Sequence, residues 1–251
     1  MPFGKKPGAK PPSPPPPPAP AESDEAPPAV ESGATPDAIS ARLLAMFETA
    51  YADEQGRVHV ETLLSALGAC AGFGCQVAVR EAIKAGRLDP KGALMVVETE
   101  DGGTYFFGDQ INQPLLEAPV SVWRLIAGAA QHAGATEIPD IIEIVRHVTS
   151  SIGGDQFGVL RAPPQNQPHQ PMLKALQGSW RTAYATILAM EGDPIMTGWY
   201  FAGAAQRVIV QARDIIDPAL AYRIVMESAV MMAKVDPKLV GHDPDRESAQ
   251  G

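Results

Sequence analysis

Histidine and cysteine are the side chains most suited to chemistry in this 251-residue sequence, and their spacing limits what they can do. Histidines stand at positions 59, 132, 147, 169 and 242, and only His147 has an acidic residue, Glu143, at helical spacing. A single i,i+4 pair offers too few ligands for a metal and lacks the repeated Glu-x-x-His of di-iron bundles, so it reads as an exposed surface pair. His169 falls in a long loop, where functional side chains concentrate, but Pro168, Gln170 and Pro171 bring no charge to tune it. Cys70 and Cys75 point about 140° apart on a helix and do not bridge each other. With no C-x-x-C pair or Cys/His cluster nearby, they read as buried small hydrophobes, with a reactive thiol or half of a metal site as the alternative.

Motifs of covalent and nucleotide chemistry are missing: there is no G-x-S-x-G elbow, no S-x-x-K and no phosphate loop. Gly72-Phe73-Gly74 lies inside an apolar run with no strand before it, which excludes a dinucleotide fingerprint. The residues therefore assign no catalytic group, no metal ligand and no cofactor, and they lean against an enzyme. Absent motifs weigh little, since catalytic groups meet in space and not along the chain.

The element that must position everything else is Glu61 to Lys84. Its middle, Thr62 to Val79, carries no charge and is crowded with Gly, Ala, Ser and Cys, so it predicts a buried helix against which neighbouring backbones pack closely. Gly68 and Gly72 have the G-x-x-x-G spacing of membrane helices, but Thr62, Ser65 and Gln76 make the run too weakly hydrophobic for a span. No membrane is expected. Before it, Thr35 predicts an N-cap with Pro36 in the first turn, and Ile39, Leu43, Met46 or Phe47, and Ala50 share a helical face. After it the period changes: Ala93–Thr99 and Thr104–Phe107 are β-prone and flank Asp101-Gly102-Gly103, a β-hairpin over about 93–108. An isolated hairpin is barely stable in water, so it must lie on the helices or pair with a further strand, such as a second copy of itself.

From Asp109 onward the pattern is helical. Asp109 caps a short helix through Leu116; Pro119 opens another with Val120, Trp123, Ala127 and Ala130 on one face. Ile141, Val145, Val148 and Ile152 point inward on the next, with Glu143, Arg146 and His147 outward. Residues 155–170 form a long proline-containing connection, a lid or a hinge between two subdomains. Helices then follow over 171–190, 197–214 and from Pro218 to a stop at Asp236-Pro237, with a flexible tail over 237–251. Trp199, Tyr200 and Phe201, and Tyr105, Phe106 and Phe107, cannot all be buried on one face, so one or two reach a surface.

Composition fixes the setting. The charge of 20 − 29 = −9 disfavours nucleic acid, two cysteines make no disulfide framework, and Met1 to Lys10 lacks the apolar core of a secretory signal; these point to a reducing cytoplasm. Residues 1–34 contain PPSPPPPPAP and read as a disordered arm that favours polyproline II, a spacer or a ligand for an aromatic groove on a partner protein. The resulting expectation is a mainly α bundle of about seven helices in a 35–236 domain, with one hairpin and a proline-rich arm. Two functions follow: a non-enzymatic interaction or scaffold protein that self-associates as a homo-oligomer, or a helical small-molecule-binding protein or enzyme whose pocket lies between the helical halves under the 155–170 loop.

Overall fold

An uncharged run as long as Thr62–Val79 cannot present a polar face to water, so a helix built from it must be enclosed on all sides. In the computed structural model, which describes residues 33–100 and 102–242, this run forms α2 (Val60–Lys84), and every side chain from Glu61 to Val79 is buried. It is the one described helix long and apolar enough to cross a membrane, and that stretch is wholly enclosed by protein. Glycines set how closely the neighbours approach. A Cβ at Gly68 would come within 2.5 Å of the Val225 carbonyl oxygen on α8 (Pro218–Met232), and one at Gly72 would overlap the Ala229 carbonyl. On the other side, a Cβ at Gly74 would lie 2.9 Å from the Gly198 amide nitrogen of α7 (Thr197–Gln211). Each glycine costs the helix about 1 kcal/mol relative to alanine, offset here by backbone-to-backbone packing that no larger residue permits.

Around this axis stand α1 (Pro36–Tyr51), α4 (Val122–His132), α5 (Ile141–Ser151) and α6 (Met172–Ala189). Among the described residues 62% are helical, and with seven helices longer than one turn and one hairpin the fold is mainly α, as the sequence predicts. Thr35 caps α1, its side chain accepting the Ala38 N–H at 3.2 Å, and Ile39, Leu43 and Phe47 are buried, while Ala50 stays outside. The α4 boundary differs from expectation. Ser121, not Pro119, begins it, because the serine oxygen accepts the Arg124 N–H at 3.3 Å. The buried face is accordingly Val122, Ile126, Ala129 and Ala130, and Val120 is exposed before the helix starts.

The hairpin pairs β1 (Met95–Glu98) with β2 (Thr104–Phe107) antiparallel, placing Val96 opposite Phe106 and Val97 opposite Tyr105. Gly102 takes the positive φ the turn requires, +82°. A single helical turn, α3 (Asp109–Asn112), runs into a wider turn through Glu117. The sheet is fastened to the body by its β2 edge: the Phe106 N–H donates to the Lys234 carbonyl at 2.8 Å, and Gln76 Nε2 on α2 donates to the Ala233 and Val235 carbonyls at 3.2 and 3.0 Å.

Between α5 and α6 the chain runs without a long helix, with one tight turn at Pro164–Asn166. Helices before and after this connection share one core, α5 packing on α8 and α6 on α2 and α1. The C-terminal stretch corrects an expectation of fraying: Val240 and His242 are buried, the His242 ring standing edge-on to Phe73, Trp180 and Tyr184 at 5.6–6.1 Å. The proline-rich arm over 1–32 and the tail over 243–251 lie outside the described residues.

Candidate functional site

Two places on this body combine uncommon chemistry with access to solvent. The first is the α5–α6 connection, held by two polar anchors. Arg161 makes one of them, donating its backbone N–H to Glu227 Oε2 and its Nε to Glu227 Oε1, both at 2.9 Å. Arg223, one turn before Glu227 on α8, reaches Oε1 at 3.2 Å; Glu143 on α5 pairs with Arg161 and lies 3.6 Å from Arg223. Glu227 is fully buried, so its charge persists there only because two guanidinium groups meet it. The hydrogen bond from Arg161 holds the Glu143 carboxyl below the usual carboxylate range. The expected Glu143–His147 pair persists only as the weakest influence on Glu143, which turns to the arginines, and His147 is half-buried with no hydrogen-bond partner on Nε2 among the described residues.

The second anchor joins His169 to the head of α2. The His169 N–H donates to Thr62 Oγ1 at 2.9 Å, Asn166 Nδ2 donates to Glu61 Oε1 at 2.7 Å, and the His169 ring stacks on His59 with centroids 3.7 Å apart and planes 19° from parallel. His59 caps α2 through Nδ1, which accepts the Thr62 N–H at 3.3 Å. A ring whose Nδ1 accepts carries its hydrogen on Nε2, and that nitrogen faces Glu61 Oε2 at 3.2 Å. Thr62, His59 and Glu61 thus have the order of a hydroxyl–imidazole–carboxylate relay. Thr62 is buried, however, with its hydroxyl occupied by His59 Nδ1 at 2.8 Å and by the His169 amide, so the arrangement locks backbone and leaves no nucleophile facing a substrate. Nor do face-to-face rings direct their in-plane lone pairs at one ion; among the described residues no three His, Cys, Asp or Glu side chains are placed to hold a metal. Beside this anchor a groove of about 500 Å3 is walled by Phe157, Leu160, Gln167, His169 and Met172 over Ser65, whose hydroxyl is bonded to Ser228 at 3.1 Å.

The second place is the hairpin. Among the described residues nothing pairs with the outer edge of β1, and Met95 and Val96 are 59% and 53% exposed. The three aromatics of β2 are all half-buried: Phe106 packs inward under the Arg80 guanidinium, Tyr105 meets Phe157 edge-on, and Phe107 lies 5.0 Å from the Lys234 amine. Burial pushes that amine down to about 8. Of the other aromatic run, Tyr200 and Phe201 are core and only Trp199 is partly exposed. Cys70 and Cys75 are both enclosed and free, and burial pushes their thiols up, away from the thiolate that reactivity needs.

Sequence reasoning missed the His59–His169 pair, because its members are 110 positions apart and neither has an acidic residue at helical spacing. It missed Glu227 as well, though Arg223 four residues before it was a usable signal. Comparison with protein-family models, curated proteins and solved structures finds no match.

Proposed function

We propose that this chain is a protein-interaction scaffold that self-associates in the cytoplasm through the outer edge of β1. The observation that carries this reading is a strand edge that no segment among the described residues pairs with, beside the exposed Met95 and Val96. In an antiparallel ladder, inward- and outward-facing backbone groups alternate. Thr99 donates its N–H inward to Gly103 at 2.9 Å, so Val97 and Met95 also face β2, and Val96 and Glu98 direct their N–H and C=O groups outward. Natural proteins usually block such an edge with charge, proline or a covering segment. A second copy fits it by symmetry. Antiparallel pairing centred on Val96 sets Val96 against Val96 and Leu94 against Glu98. Acidic net charge and enclosed free cysteines support a reducing compartment. Light scattering of the full chain over rising concentration tests the reading: a reversible dimer is expected, and a monomer at high micromolar concentration would refute it.

A second reading, small-molecule binding, is favoured by one feature, the groove along the 157–173 segment with His169 and Gln167 on an otherwise apolar wall. Its test is a thermal shift across a panel of neutral and acidic metabolites; no shift with any of them removes it.

A further inference from the structure

We propose that the stacked His59–His169 pair is an acid-released latch: protonation of both rings frees residues 166–171 from the head of α2 while the Arg161 anchor holds. Two imidazoles 3.7 Å apart and nearly parallel attract while at most one is charged, and repel as a pair of cations. Among the described residues, one carboxylate serves them. Glu61 on α2 faces His59 Nε2, and its other oxygen is taken by Asn166. The ionisable groups acting on His59 are Glu61 from its own segment and His169 from the connection; the ring contact of His169 is with His59. Burial first, and His169 second, disfavour a proton on His59, and Glu61 opposes them.

Chemistry at Nδ1 reinforces the electrostatics. A neutral His59 accepts the Thr62 N–H there; a protonated ring carries hydrogen on both nitrogens and can no longer accept, so the cap of α2 is lost along with the stack. Thr62 Oγ1 is also the acceptor for the His169 N–H, which couples the cap to the connection. In the other anchor the Glu143 carboxyl is held below the ordinary carboxylate value chiefly by the Arg161 hydrogen bond, with Arg223 and His147 adding to it, so it stays charged over the same range. Release is thereby confined to the C-terminal half of the connection, which forms one wall of the groove.

Hydrogen exchange of the full chain at pH 7.5 and 5.5, corrected for intrinsic rates, reads this directly. Protection of the His169 amide should fall about tenfold, the change that one pKa unit represents, with amides around Arg161 unchanged. In His169→Gln, which keeps the backbone donor and removes one ring of the stack, the difference between the two pH values should shrink to what the His59 cap alone contributes. Undiminished protection at pH 5.5 in the natural chain would overturn the proposal, as would an equal loss in His169→Gln or a loss spread over all helices.

Discussion

The seam between α2 and α8 and the outer edge of β1 are both apolar, and they are treated in opposite ways. At the seam, Gly68 and Gly72 remove every Cβ that would hold the helices apart, and the backbones meet. At the edge, Met95 and Val96 are exposed, and no segment among the described residues pairs with the strand, although β2 on the far side is sealed by Lys234 and Val235. A chain able to enclose a 25-residue helix has the means to cover a four-residue strand. On the proposed reading, the open edge is the surface where a second copy pairs.

If that contrast holds, the two regions should fail differently when altered. The largest loss of stability is expected for Gly72→Ala, whose methyl group would overlap the Ala229 carbonyl. Overpacking of this kind costs about 3 kcal/mol, more than the roughly 1 kcal/mol alanine returns through helix propensity. A urea melt that moves by less than 1 kcal/mol would break the close-approach account. Next comes Arg161→Met. It leaves the fully buried Glu227 with Arg223 as its one charged partner among the described residues, beside the backbone N–H of position 161, a loss of about 2–3 kcal/mol in the same melt. Asn166→Ala should cost about 1 kcal/mol, the worth of its bond to Glu61, and no change would show that the second anchor is slack.

The smallest effect is a pH dependence. Folding favours a neutral His59, because burial lowers its affinity for a proton. The unfolded chain binds that proton more readily, so this contribution is complete above the ordinary imidazole value of about 6.5 and is lost as pH falls through it toward the lowered folded value. His59→Asn keeps a capping acceptor without the titration. The melting-temperature advantage of the natural chain over this variant should shrink between pH 7.5 and 5.5, and a constant difference would remove His59 from the acid response.

Local composition made much of this fold readable. The uncharged, glycine-bearing stretch announced α2, and Asp101-Gly102-Gly103 between two β-prone runs announced the hairpin, because turn chemistry and burial act over a few neighbouring residues. What escaped depends on residues that meet only after folding. His59 and His169 come together because the connection returns to the start of α2, and His242 is held by Phe73, Trp180 and Tyr184 from two other helices. Glu227 on α8 has Arg223 one turn before it, but its second guanidinium, Arg161, arrives from 66 positions away. The open edge was legible as a need, since a bare hairpin must lean on something, but which of its edges the body would cover was not.

Sedimentation equilibrium of the full chain beside its Val96→Lys variant tests the self-association claim most directly. The edge account predicts a concentration-dependent dimer for the natural chain, and for the variant a monomer with the same melting temperature, since Val96 is half-exposed on the single copy. A natural chain that stays monomeric throughout, or a variant that dimerises equally well, would contradict it.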